Sequence, residues 1–215
     1  MKTAMLQKAL KATIFTHDEI ADLLKSEVSN VNAKISYMVK QGILVRLKRG
    51  LYIFSEPYRD GLVDSIAVAN RLYAPSYVSF EYALSYYGLI PERVYEVTSA
   101  TLRAKKLFET PLGRFSYKPV PMEVYAIGVD WIDDTIQGGK LIATPEKALC
   151  DKIRSDRGMG RLTQKEMKAY LLHDLRIEWE ELLTLDVVLI DAIAKRYKSY
   201  NLKSLTALLK RSKDA

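Results

Sequence analysis

Residues 29–54 read SNVNAKISYMVKQGILVRLKRGLYIF, and this stretch decides the fold of the first quarter of the chain. Val31, Ile35, Met38 and Val39 recur at helical spacing and form one apolar stripe. Ser29 is a fitting N-cap, with Ser26 an alternative start one turn earlier, and Gly42 stands where a helix-ending glycine belongs. Ile43, Val45 and Leu47 then alternate with Leu44, Arg46 and Lys48. Arg49-Gly50 supplies a turn, and residues 51–54 return as a second strand.

Upstream, Thr16 and Glu19 match a T-x-x-E capping box, and Ile20, Leu23 and Leu24 continue it as a helix over 17–25. Met5, Leu6 and Leu10 predict an earlier helix within 3–12, and residues 13–15 read as a break. Three helices followed by a hairpin is the order of a winged helix-turn-helix, here predicted over 1–58. Pro57 and Gly61 flank the expected domain boundary.

Downstream, residues 62–73 read as a helix that Pro75 breaks, and YVSFEYALSYYG as a short strand or turn entering another helix. Strand-like segments fall at 93–100, 105–109, 114–120, 123–129 and 140–144, and helices fill the chain from Pro145 onward. The expected fold class is α+β: the winged helix plus a larger C-terminal α+β domain over 59–215. That domain has antiparallel-type strands in 93–144 and a helical region over 145–215.

The chain has 215 residues with 33 Lys and Arg against 26 Asp and Glu, a net of +7. Residues 1–60 carry +4, residues 61–150 carry −1 and residues 151–215 carry +4. A basic excess at both ends suits a polyanionic partner. Cys150 is the single cysteine, so no internal disulfide can form; its apolar neighbours mark it as a small buried hydrophobe in a reducing compartment. No run of about eighteen apolar residues exists and the N-terminus lacks a signal-type apolar core, so no membrane partner and a cytoplasmic protein are expected.

In a helix-turn-helix the second helix of the motif lies in the major groove. With the stripe turned inward, the outward residues are Asn30, Asn32, Lys34, Ser36, Tyr37 and Lys40, with Ser29 at the start and no acidic residue from Val28 to Lys40. Asn matches adenine bidentately, while Lys and Ser reach bases or phosphates. Arg46, Lys48 and Arg49 lie on or beside the hairpin turn, where cations meet the DNA backbone or minor groove. Tyr52 either hydrogen-bonds a phosphate or packs under the wing. Near the end of the chain, Lys195, Arg196, Lys198, Lys203, Lys210 and Arg211 lie on an amphipathic helical segment, as either an anion-binding tail or a solvated face.

Enzyme signatures are thin. Two histidines and one cysteine leave no Cys/His metal spacing, and no glycine loop for phosphates is present. Asp130, Asp133, Asp134 and Glu146 are the carboxylates a metal-dependent nuclease would use, but beside Gly138-Gly139 they read as loop and cap residues. No catalytic residue, metal or cofactor is expected; the alternative is a DNA-targeted nuclease or transferase with a catalytic C-terminal domain.

Three segments, QGILVRLKRGLYIF, APSYVSFEYALSYYGLIPE and GGKLIATPEKALCDKI, resemble the AbiEi family of antitoxins in order and separation. The resemblance implies a winged helix joined to a C-terminal antitoxin domain, acting in an abortive-infection toxin–antitoxin pair for phage defence. It implies that the winged helix binds inverted repeats in double-stranded DNA of its own promoter as an autorepressor. It also implies a nucleotidyltransferase-like toxin as functional partner, countered without a stable complex. By position, the recognition helix is 29–41 and the wing 43–54, and the blocks 77–89 and 143–151 read as structural from their apolar spacing.

Overall fold

A computed structural model describes residues 3–10, 12–59, 61–133, 139–156 and 158–213. The chain is α+β, with a three-stranded and a six-stranded sheet. It begins α1 (Thr3–Ala9), β1 (Ile14–Thr16), α2 (His17–Leu24), α3 (Val31–Lys40), β2 (Leu44–Lys48) and β3 (Leu51–Phe54). The strands pair antiparallel in the order β1-β3-β2, which is winged-helix topology.

Local chemistry sets these boundaries. The Thr16–Glu19 capping box opens α2, with Glu19 Oε2 taking the Thr16 N–H at 2.6 Å. Asn30, not Ser29, caps α3: its Oδ1 accepts the Ala33 N–H at 2.9 Å. Both residue types cap well, so composition alone does not choose between them. Gly42 follows α3 at φ +67, and Gly50 turns the hairpin at φ +80, two backbone states that penalise a Cβ. Strand β1 (Ile14–Thr16) overlaps the predicted break at 13–15; three residues are too few to show a period-two pattern.

The small sheet is covered on both faces. Phe15, Leu44, Tyr52 and Phe54 pack with Leu6, Ile20, Leu24, Ile35 and Met38 beneath the three helices. Ile14, Leu47, Leu51 and Ile53 join the core of the rest of the chain instead. Every residue of β3 is therefore buried. A register shift between Arg46 and Lys48 sets Lys48 opposite Leu51.

After a 3-10 turn (Glu56–Tyr58), the larger sheet and its helices follow as α4 (Ser65–Leu72), β4 (Ser76–Val78), α5 (Phe80–Tyr86), β5 (Val97–Thr101), β6 (Lys106–Thr110), β7 (Gly113–Pro119), α6 (Met122–Tyr125), β8 (Val129–Ile132) and β9 (Lys140–Ala143). The helical end comprises α7 (Pro145–Ser155), α8 (Gln164–Ala169), a π turn (Tyr170–Asp174), α9 (Trp179–Thr184), α10 (Val187–Tyr197) and α11 (Tyr200–Lys213). The sheet order is β6-β7-β5-β4-β9-β8. It is mixed where antiparallel strands were expected: β5 with β7 and β4 with β9 run parallel. A strand's apolar pattern carries no information about its neighbour's direction. The strand predicted at 123–129 is α6 leading into β8, entered through Pro121.

The core of this part is organised around an ion pair with no solvent exposure. Lys147 and Asp151 stand four residues apart on α7, with Nζ 2.7 Å from Oδ1. Tyr77 and Ser79 donate hydroxyl hydrogen bonds to Asp151 Oδ2 at 2.9 and 2.8 Å, and Tyr197 donates to Oδ1 at 2.6 Å. The Lys147 ammonium lies 4.9 Å from the Tyr197 ring centre and 5.6 Å from that of Tyr77. Burial and the Asp151 carboxylate push both phenols far up, so they remain neutral donors. Strand β4, helix α7 and helix α10 are thereby tied at one carboxylate, and the sequence blocks 77–89 and 143–151 meet there.

Removing one partner leaves the other charge buried and unpaired. Asp151→Ala is expected to cost about 3–5 kcal/mol in urea unfolding, whereas Lys147→Met combined with Asp151→Leu recovers most of it. Equal loss in the single and double variants would show that the pair is not what organises this core.

Candidate nucleic-acid interface

The exposed side of α3 carries Asn32, Ser36, Tyr37 and Lys40, with Lys34 half-buried beside them. Ile35 and Met38 are buried beneath, and Val31 and Val39 are partly so, as the stripe predicts. Lys34 places Nζ 5.4 Å from the Tyr37 ring centre, and Tyr37 is 53% exposed, unusually open for an aromatic ring. Ser29 and Asn30 are exposed at the start of α3, Asn30 with its oxygen committed to the cap.

His17, at the start of α2, reaches across to this helix. Its Nε2 lies 2.7 Å from Asn32 Oδ1 and its Nδ1 lies 3.2 Å from Asp18 Oδ1. Its backbone N–H donates to Gly50 O at 3.0 Å, so α2, α3 and the wing turn meet at this residue. The hydrogen bond with Asn32, then that with Asp18, raises the imidazole above its usual range. A raised folded value means that this stabilisation is complete below the unfolded pKa and lost as pH rises through the folded one. Sequence spacing gave His17 only the role of a helix start; its partner is fifteen residues away.

On the wing, Arg46 and Arg49 are exposed. Lys48 and Tyr52 are placed differently from the DNA-facing positions predicted for them. Lys48 Nζ donates to the carbonyl oxygens of Leu72 at 2.7 Å and Arg71 at 3.4 Å, capping the C-terminus of α4. Burial, and the nearby Arg103 charge, lower its ammonium below the usual lysine range. Arg71 returns the link through Nη1 to Ile14 O at 2.6 Å. Tyr52 is buried among Phe15, Phe54 and the helices, so of its two readings packing under the wing holds.

The basic tail is partly neutralised. Asp191 takes Lys195 at 2.8 Å and Lys210 at 3.7 Å, and Lys195 first among them holds its carboxyl below the usual range. Lys198 ends α10 in a left-handed conformation. Arg196, Lys203 and Arg211 are exposed, while Leu202, Leu205, Leu208 and Leu209 pack α11 into the core.

Glu146 Oε1 accepts the Asp186 N–H at 3.0 Å ahead of α10, while Asp130 and Asp133 are exposed and Asp134 lies outside the described residues. Among the described residues no three His, Cys, Asp or Glu side chains converge to hold a metal ion, and no helix is long and apolar enough to cross a membrane. Cys150 is fully buried, with its thiol pushed up by burial. No family model and no curated protein matches the chain.

Two wing cations, Arg46 and Arg49, are therefore exposed where three were expected. Arg46→Ala with Arg49→Ala is expected to flatten the salt dependence of DNA affinity by roughly two log units per log unit of salt. Lys48→Met is expected to leave that slope unchanged and to lower stability by about 1–3 kcal/mol. A slope change with Lys48→Met, measured by fluorescence anisotropy, would return Lys48 to the interface.

Proposed function

We propose that this protein binds duplex DNA through α3 and the β2–β3 turn, as a transcriptional autorepressor that is also the antitoxin of an abortive-infection toxin–antitoxin pair. The observation that carries the DNA reading is the exposed, acid-free face of α3 beside Arg46 and Arg49. Phosphates would be held by Arg46, Arg49, Lys34 and Lys40, giving salt-sensitive affinity without sequence preference. Base edges would meet Asn32, Ser36 and Tyr37.

The antitoxin half rests on the resemblance to AbiEi proteins. On that reading the DNA is the protein's own promoter, with inverted repeats, and the functional partner is a nucleotidyltransferase-like toxin. Two inverted half-sites fit two copies of one winged helix.

A gel shift with the DNA upstream of the protein's own gene tests the first half. Retardation is expected, and Ser36→Ala with Tyr37→Ala should lower affinity for that DNA while sparing random duplex of equal length; equal loss on both would remove α3 from base reading. Co-expression with the product of the adjacent gene tests the second half. Rescue of growth from a nucleotidyltransferase-like toxin is expected, and growth arrest undiminished by this protein would refute the antitoxin role.

A further inference from the structure

The two hydrogen bonds of His17 determine which face Asn32 presents outward. Nδ1 faces Asp18 Oδ1, a carboxylate oxygen that only accepts, so Nδ1 bears a proton whether the ring is charged or neutral. Nε2 faces the side-chain amide of Asn32. When the ring is cationic, Nε2 bears a proton as well and must meet Asn32 Oδ1, the arrangement in this structure. The amide nitrogen of Asn32 is then left with two N–H groups to donate. When the ring is neutral, Nε2 becomes an acceptor, and the amide must turn over to give it one N–H. Asn32 then offers its oxygen and one remaining N–H.

These two faces match different bases. Two donors on one nitrogen suit guanine, whose major-groove edge carries the N7 and O6 acceptors. An oxygen beside an N–H suits adenine, whose edge carries the N6 donor and the N7 acceptor. We propose that His17 is a specificity-determining residue: its charge state turns the Asn32 amide and so selects guanine when charged and adenine when neutral. The proposal rests on the DNA-binding reading above and deepens it.

The surroundings allow the ring to titrate. Its side chain is 36% exposed and Asp18, on its own helix, is the acid in contact with it. Glu19 on the same helix is held by Thr16 through both backbone and hydroxyl. Helix α3 contributes the cations Lys34 and Lys40, and the wing turn contributes Arg49, next to the Gly50 carbonyl that takes the His17 N–H. Lys48 of the same turn is directed to α4. Asp18 and a bound polyanion favour the charged ring, and the lysines and Arg49 oppose it.

The test is a set of anisotropy titrations on duplexes of the protein's own upstream DNA, each base pair replaced in turn, at about pH 5.5 and about pH 8.5, either side of an imidazole. One position per half-site is expected to prefer guanine at the lower pH and adenine at the higher, with the ratio changing by about fivefold or more. His17→Ala should abolish the change with pH while the protein still binds DNA, and Asn32→Ala should abolish discrimination at that position at both values, whatever its overall affinity. A guanine-to-adenine ratio independent of pH in the wild-type protein overturns the proposal while the binding itself keeps the DNA reading. No binding to any duplex by protein whose circular dichroism shows it folded overturns the DNA reading, and this proposal with it.

Discussion

Strand β3 is buried on both faces, and the rest of the molecule is arranged around that constraint. One face closes the core under the three N-terminal helices, and the other closes against the larger α+β body. Aliphatic side chains such as Ile14, Leu47, Leu51 and Ile53 each contribute about 1.5–3 kcal/mol when removed from water, so the second face is a substantial part of the wing's stability. Lys48 and Arg71 then cross the same seam in opposite directions, each finding backbone carbonyls of the other element. The seam directs Lys48 to α4 and leaves Arg46 and Arg49 exposed. The proposed DNA face is therefore carried on a wing fixed from behind, which favours a pre-formed surface over one ordered on binding.

The second organising point is the Asp151 carboxylate. Its four partners come from β4, from the residue that follows β4, from α7 and from α10. A buried ion pair of this kind is a weak source of net stability, because desolvation offsets most of the attraction. Packings of these elements that separated the pair would leave a buried charge unpaired, which disfavours them. The Y-x-S and K-A-L-x-D spacings in the sequence thereby acquire a physical reason. Tyr77 on β4 and Ser79, extended just beyond its end, both reach Asp151 Oδ2, and Lys147 and Asp151 share one helix face.

Much of the local structure was legible in the sequence. The Thr16–Glu19 box, the Val31–Ile35–Met38 stripe and Pro145 at the first turn of α7 are signals confined to a few neighbouring residues, and each appears where it was read. What was not legible depends on contacts distant in the chain. The Tyr77–Asp151 bond spans 74 residues, and Lys147 with Asp151 at i, i+4 looks in sequence like an ordinary surface pair. The diversion of Lys48, the parallel pairing of β4 with β9 and the hold of His17 on Asn32 are of the same kind. At the proposed interface the sequence located the helix and the wing, and tertiary packing decided which of their side chains remain available.

Whether α3 and the wing form a DNA-binding surface is read directly by an amide NMR titration of the intact protein with the duplex upstream of its own gene. If α3 and the wing hold the DNA, the shifts concentrate on the exposed side of α3, the start of α2 at His17 and the turn between β2 and β3, with α11 little changed. Shifts concentrated on α10 and α11 with α3 unmoved would contradict it.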